Sequence, residues 1–311
     1  MKQINYDLIG DIHGQAPELI RLLKKLSYRQ FNGVWQHTDR KVIFLGDFID
    51  RGNYQKAVIN IVRPMVEQGF ALSVMGNHEY NAIAYFTKNS NGEFLRPHNQ
   101  KNLNQHKEFI NAYSDDSAEY ERVIKWFKTL PLWIDFDNFR VVHACWDNES
   151  INLIKDFQNG SSILSDKLLC ESIKQDTWQH NAIEILIKGK KVLMPNECAF
   201  DDADNNIRKK MRVKWWKGSN SNYQDCFIGP DKVKALLPLT AIGSHNLTDY
   251  RSSEKLLFIG HYWLNNEITP LTDNIVCLDY SVAKKGGELV AYRWNGESVI
   301  DINKFVSVER L

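Results

Sequence analysis

Four apolar runs in this 311-residue chain stop at a glycine that is followed at once by a metal-ligand residue type: Gly10-Asp11, Gly46-Asp47, Gly76-Asn77 and Gly260-His261. A hydrophobic core has no use for that ending. A loop leaving the carboxyl end of a strand does, because α/β sheets bind their ligands beyond those ends. Glycine ahead of each polar residue permits a sharp exit and close backbone approach. Asp11, Asp47 and Asn77 succeed one another at intervals of 36 and 30 residues, each near the roughly 30-residue length of a βαβ unit. Neighbouring strands would therefore deliver them to one crevice.

The intervening segments read accordingly. Tyr6 to Ile9 is a strand, and Pro17 opens a helix with Leu19, Ile20, Leu22, Leu23 and Leu26 at helical spacing. Val42 to Leu45 is a second strand, Ala57 to Val66 a second helix that Pro64 should kink, and Ala71 to Met75 a third strand. From Phe86 to about Tyr120 the chain is polar and lacks a clean apolar face, so the stretch at about 86–130 reads as an insertion bearing helices, with the character of a lid. Phe139 to Ala144 and Leu256 to Ile259 return to strand patterns. The tail, with Ile275 to Leu278, Glu288 to Trp294 and Val299 to Ile302, reads as a strand-rich meander turning at Gly286-Gly287. No repeat or linker divides the chain, and one α/β domain over 1–311 is expected.

Thirty-nine basic against thirty-eight acidic residues, without a long single-sign run, exclude the charge footprint of a nucleic-acid or anionic-membrane binder. Five cysteines without a CxxC pair exclude a disulfide framework and a zinc knuckle. The N-terminus has no apolar stretch of signal-peptide length, and no run of about 18 apolar residues occurs, so a cytoplasmic location is expected.

Asp11, His13, Asp47, Asn77, His143 and His261 form a mixed carboxylate, imidazole and amide set that suits Mn, Fe or Zn. Six ligands would crowd one ion. Two divalent ions about 3.5–4 Å apart would use them all and could stabilise both oxygens of an in-line phosphoryl displacement. Phosphate-ester hydrolysis is the chemistry to expect. The ordinary readings are helix N-caps for Asp11 and Asp47, satisfied core histidines for His143, His261 and His78, and a surface ion pair for Asp50-Arg51. The joint register of these residues favours the functional reading. Glu79 reads as structural. His37, His98, His106, His180 and His245 read as ordinary histidines, with His98 and His106 open to substrate contact. Trp215-Trp216 reads as a cleft-edge or core pair rather than a base-stacking platform.

GDIHG at 10–14, GDFIDRG at 46–52, GNHE at 76–79, VHA at 142–144 and GH at 260–261, in this order, resemble the calcineurin-like metallophosphoesterases, and within them the phosphoprotein-phosphatase type. The resemblance implies a central β-sandwich flanked by helices, an αββα fold with a dimetal site at the strand ends, and leaves about 150–250 as subgroup-specific. It implies that Asp11, His13 and a bridging Asp47 hold one metal while Asp47, Asn77, His143 and His261 hold the other, with a bridging hydroxide as nucleophile. His78 would protonate the leaving group, Asp50 would orient His78, and Arg51 would clamp the phosphoryl group. A second arginine is expected from Arg208, Arg212 or Arg251, with Arg212, before Trp215-Trp216, favoured. Trp263 stands where many wider relatives carry a second histidine of a GHxH motif, which favours the phosphoprotein-phosphatase branch. The ending CLDYSVAKKGGELVAYRW is similar to that of the bacterial diadenosine-tetraphosphatase subgroup. The expected activity is hydrolysis of phosphomonoesters, with a phosphoprotein or a nucleotide as substrate. Symmetrical hydrolysis of diadenosine tetraphosphate to ADP and a catalytically dead phosphate-binding module are the alternatives.

Overall fold

Alternation along the strands divides the apolar side chains between two cores, and that division sets the layers. The computed structural model describes residues 5–195, 198, 200–201, 207–218, 220–243 and 247–311. His245 and the side chain of Arg208 lie outside the described residues.

The chain begins with β1 (Asn5–Ile9), α1 (Ala16–Lys25), a hairpin of β2 (Arg29–Phe31) and β3 (Val34–Gln36), β4 (Arg40–Phe44), α2 (Gln55–Glu67), β5 (Ala71–Ser73) and α3 (Asn77–Phe86). Pro17 sits in the first turn of α1, where its missing N–H has no helical partner to lose. The helical pattern of α2 continues through Pro64 to Glu67. β1, β4 and β5 are parallel, with Ile9 beside Phe44 and Phe44 beside Ser73, so Gly10, Gly46 and Gly76 all leave the same edge. The polar insertion carries α4 (Gln100–Ala112) and α5 (Ser117–Phe127), whose N-caps Asn99 and Asp116 accept from Asn102 N and Glu119 N.

β6 (Trp133–Asp135), β7 (Phe139–Val142), α6 (Asn148–Phe157), α7 (Asp166–Ser172) and α8 (Trp178–Lys188) come next. Short elements follow: β8 (Lys191–Leu193), β9 (Phe200–Asp201), β10 (Ile207–Arg208), β11 (Lys210–Val213), α9 (Tyr223–Cys226), β12 (Phe227–Ile228) and α10 (Asp231–Lys234). The chain closes with β13 (Leu256–Ile259), β14 (Ile275–Cys277), β15 (Asp279–Tyr280), β16 (Glu288–Trp294) and β17 (Phe305–Glu309).

One sheet runs β15-β16-β1-β4-β5 with β17 also on β16, and a second runs β14-β13-β7-β6. Leu8, Ile43, Leu45 and Val74 of the first sheet meet Phe139, Val141, Leu256, Phe258 and Val276 of the second. Their strand neighbours Ile9, Val42 and Phe44 turn the other way, onto Leu19, Leu22, Val58 and Val62 of α1 and α2. The result is the helix-flanked β-sandwich that the sequence motifs imply. Among the described residues no helix is long and apolar enough to cross a membrane, and all five cysteines are unbridged.

The tail differs from a single meander. β14 pairs in parallel with β13 in one sheet, while β15, β16 and β17 form antiparallel ladders in the other, where β16 also runs antiparallel to β1. Val299 to Ile302 is not a strand. Val299 and Ile302 are exposed, and Asp301 caps a short 3-10 turn over Ile302–Lys304, so the last strand starts at Phe305. Ile300 is half-buried against the core between the sheets, but Val299 and Ile302 are surface residues, which composition alone does not distinguish from core.

Phe258 has no exposed surface and packs its ring at 5.7 Å from Phe139 and 5.2 Å from Tyr292 between the sheets. Phe258→Ala is expected to lower unfolding free energy by about 3–5 kcal/mol, while Val299→Ala changes it by less than about 0.5 kcal/mol. Urea denaturation of both variants checks the contrast.

Candidate metal centre

The loops that leave the two sheets at one end hold their polar residues in unusual backbone. Among the described residues, eleven non-glycine residues have left-handed φ, and His13, Asp47, Asp50, Arg51, His261 and Trp263 account for six of them. Each costs on the order of 1–3 kcal/mol and persists only where its surroundings hold it there. Much of the holding falls to Glu79. Its carboxylate, wholly buried, accepts from Asp47 N and Phe48 N at 2.8 Å each and from Gly76 N at 3.0 Å, tying the loop after β4 to the loop after β5. Glycine is required at two of the exits by contact. A Cβ at Gly76 would stand 2.2 Å from Asp47 Oδ1, and one at Gly260 would stand 2.1 Å from Asp11 Oδ1.

Asp47 is the hub. Its Oδ2 lies 3.3 Å from His143 Nε2, 3.7 Å from His13 Nε2 and 3.9 Å from His78 Nε2, while its Oδ1 accepts from His78 N at 2.9 Å. Asn77 Oδ1 is 3.3 Å from His143 Nε2. Asp11 accepts from His261 N at 3.1 Å, and His13 Nε2 approaches it to 4.0 Å. Two sets of donor atoms, His13–Asp47–His78 and Asp47–His143–His261, each lie within 4.8 Å of one another and share Asp47. All six residues read from the sequence as metal ligands are therefore in one buried cluster.

The donor chemistry fits divalent ions. His13 Nδ1 faces Ile49 O at 3.0 Å and His143 Nδ1 faces Leu45 O at 2.6 Å, so the carbonyls fix the tautomers and leave both Nε2 lone pairs toward the cluster. His13 Nε2 is buried without any hydrogen-bond partner. Burial, with His78 beside it, pushes the His13 imidazole down to about 3, which keeps it neutral. Burial raises Asp11 well above the usual carboxylate range, and Asp279 and Asp47 add to the effect. Burial would raise Asp47 as well, but the imidazoles of His143, His78 and His13 overturn this and hold it well below that range. The lowered imidazoles of His13 and His261 beside the crowded carboxylates of Asp11 and Asp47 are an environment a cation neutralises.

Beside this cluster, His78 Nδ1 bonds Asp50 Oδ2 at 2.5 Å. Burial would lower the His78 imidazole, yet Asp47 and Asp50 raise it above its ordinary value. The Arg51 guanidinium lies 4.0 Å from the centroid of Trp263, whose ring also takes Lys284 at 4.4 Å and stands 5.5 Å from His13. Arg212 reaches the cluster, with Nη1 3.5 Å from His261 Nε2. Arg251 does not, being exposed and paired with Asp249. Trp215 is buried and donates to Tyr262 Oη at 2.8 Å and Ala144 O at 3.2 Å, and Trp216 packs edge-on at 4.8 Å from Tyr262. The pair buttresses the His261 loop instead of offering a stacking surface.

Two residues escaped sequence reasoning. Asp279, buried, accepts from Trp263 N at 2.7 Å and Ser281 N at 3.0 Å and faces Asp11, but it follows Leu278 without the glycine that marks the other exits. His106, read as an ordinary histidine or a substrate contact, is buried against Asp50, with Nδ1 2.8 Å from Oδ1. Its place depends on where α4 docks, which no local pattern encodes.

The sequence profile of the calcineurin-like phosphoesterases matches residues 4–261. The chain belongs to the calcineurin-like phosphoesterase family. That is a family of metal-dependent phosphoester hydrolases. Two relatives are named asymmetrical bis(5'-nucleosyl)-tetraphosphatase PrpE. The one from Oceanobacillus iheyensis is 30% identical over 139 residues, covering 44% of this chain and 54% of the relative. The one from Bacillus subtilis strain 168 is 32% identical over 140 residues, covering 45% and 56%. The matches thus span about half the length of these curated relatives. Among solved structures, a cold-active protein-tyrosine phosphatase of a psychrophilic Shewanella has a TM-score of 0.51 at 15% identity, covering 96% of this chain and 81% of that one. A Saccharomyces cerevisiae protein serine/threonine phosphatase has a TM-score of 0.50 at 14% identity, covering 99% and 80%. These two share the fold of this phosphoesterase.

Because His78 sits above its ordinary value, its protonated form favours the folded state below that value, and the contribution fades as pH rises through the raised one. Asp50→Asn removes one of the charges that raise it. In metal-free protein, histidine NMR is expected to show His78 losing its proton at lower pH in this variant than in the wild type.

Proposed function

We propose that this phosphoesterase hydrolyses its substrate at a two-metal centre held by Asp11, His13, Asp47, Asn77, His143 and His261, and that the substrate is a dinucleoside polyphosphate cleaved asymmetrically. The observation that carries the substrate reading is the cleft beside the cluster, of about 980 Å³. Asp50, Arg51, Asn77 and His78 line its inner end, and Arg96, Lys101, Lys188 and Lys191 extend it outward. Lys188 and Lys191 share Glu184, but Arg51, Arg96 and Lys101 stand against only Asp50 and Glu108, and the excess of positive charge suits a chain of phosphates longer than one phosphoryl group. The names of the partial relatives from O. iheyensis and B. subtilis support the same class.

When bound, the metal pair supplies Lewis-acid neutralisation of phosphoryl charge and lowers the pKa of water. The chain's own groups do the rest. Asp50 holds the proton of His78 on Nδ1, which aims Nε2 at the cluster, and a protonated Nε2 can then pass its proton to the leaving oxygen. Arg51, whose charge acts on His13 and His78, and Arg212, beside His261, offer planar guanidinium forks to the phosphoryl oxygens. These two arginines beside the ligand set support phosphomonoester hydrolysis as the second reading, which uses the same His78–Asp50 pair.

The deciding measurement is kcat/KM on manganese-loaded protein, with a chelator control, for diadenosine tetraphosphate and for a phosphopeptide. Preference for the dinucleotide with ATP and AMP as products is expected. ADP as sole product would overturn the asymmetrical cleavage, and faster orthophosphate release from the phosphopeptide would install the second reading. Arg96→Ala should raise KM for the tetraphosphate about tenfold, about 1.4 kcal/mol, and leave KM for phenyl phosphate unchanged. His78→Asn should reduce kcat on phenyl phosphate by roughly 10²–10⁴ with bound metal retained, as measured by metal analysis and steady-state kinetics.

A further inference from the structure

Helix α4 of the polar insertion has only two buried residues, His106 and Phe109. His106 has no exposed surface and lies among rings, with centroids 5.0 Å from Phe109 and 5.6 Å from Tyr85. An apolar side chain would fill such a position without leaving a polar atom stranded, whereas His106 Nε2 is buried there with no partner. An imidazole kept at that cost needs a use for its other nitrogen. That nitrogen, Nδ1, meets Asp50 Oδ1 at 2.8 Å, while Asp50 Oδ2 meets His78 Nδ1 at 2.5 Å. One carboxylate is therefore gripped by two imidazoles, from α3 on one side and from the insertion on the other.

We propose that His106 is a positioning residue of the His78–Asp50 pair: its Nδ1–H holds Asp50 Oδ1, fixes the carboxylate plane, and so fixes the direction in which His78 presents Nε2. The inference rests on the role proposed for His78. A carboxylate bonded at one oxygen turns about its last torsion at little cost. Bonded at both oxygens, it has one orientation, which matters because a misaimed proton donor loses its contribution in the transition state. Asp50 is an acceptor in both bonds, and burial, which would raise its carboxyl, is overturned by His106 and His78, which hold it well below the usual range.

The test uses His106→Phe, which keeps a ring and removes the donor, and His106→Asn, whose side-chain amide places an N–H near the Nδ1 position. Thermal unfolding identifies folded variants. On manganese-loaded protein, His106→Phe is expected to lower kcat for phenyl phosphate, a poor leaving group, by about tenfold to hundredfold, with KM within about twofold. The loss should be much smaller for p-nitrophenyl phosphate, whose leaving group needs little protonation, and His106→Asn should recover most of the rate. Equal losses on the two esters, or no loss on either, would overturn the proposal. A second readout needs no turnover. In metal-free protein the proton between His78 and Asp50 should give a far-downfield NMR resonance that His106→Phe shifts upfield and His106→Asn retains. A resonance unmoved in His106→Phe overturns the proposal. A wild type inactive on both esters would refute the phosphomonoester reading alone, while the NMR comparison still decides the positioning role.

Discussion

A single oxygen, Asp47 Oδ2, within 4 Å of the Nε2 atoms of His143, His13 and His78, is the point around which the rest of this protein is arranged. Bringing those side chains to one place needs three separate chain exits at one sheet edge, and the parallel pairing of β1, β4 and β5 supplies them. His143 and His261 come from the second sheet, where β7 and β13 are adjacent and parallel. The sandwich is therefore the smallest arrangement here that puts both halves of the donor set at one end. Its interior of Phe139, Phe258, Tyr292 and Trp294 holds the sheets at a fixed offset.

Such a cluster is unfavourable in isolation. Carboxylates, imidazoles and left-handed backbone are concentrated in one buried volume, and the structure offsets this with directed backbone bonds. Glu79 collects three N–H groups from two loops, Asp279 collects two from the His261 and Ser281 turns, and carbonyls of Ile49 and Leu45 set the tautomers of His13 and His143. Local rules are broken where function is concentrated and satisfied around it, a pattern expected of binding sites in general. Asp7 offers the contrast. It is as buried as any carboxylate in the centre, but Arg40 at 2.9 Å and Arg293 at 3.1 Å neutralise it fully, and its role ends with fastening β1 to its neighbours.

The strand exits and the residues placed on them were readable in the sequence because the signal is local: an apolar run, a glycine, then Asp, Asn or His. Steric need explains that glycine at Gly76 and Gly260, where any Cβ would meet the carboxylate it has to pass. Asp279 was missed because Trp263 N and Ser281 N approach its side chain without requiring a glycine before it. His106 was misread because only the docking of α4, a contact across 56 residues of sequence, gives it a partner. Val299 and Ile302 were misread for the opposite reason, since apolar residues on a capped surface turn look the same in sequence as those of a strand.

Helix α4 touches both parts of the working end. Lys101, Asn104, Gln105 and Glu108 line the cleft, while His106, on the buried face between them, grips Asp50. A stretch of chain that lines the cleft is thus mechanically continuous with one that bears on the His78–Asp50 pair, to which proton transfer is assigned in the proposed function. Descendants of this chain could not trade the insertion freely for one with another preference, because a replacement helix would bring its own cleft face and vacate the grip on Asp50. Selection for a new substrate and selection for speed would act on adjacent residues of one rigid rod, and diversification would run through paired changes on its two faces.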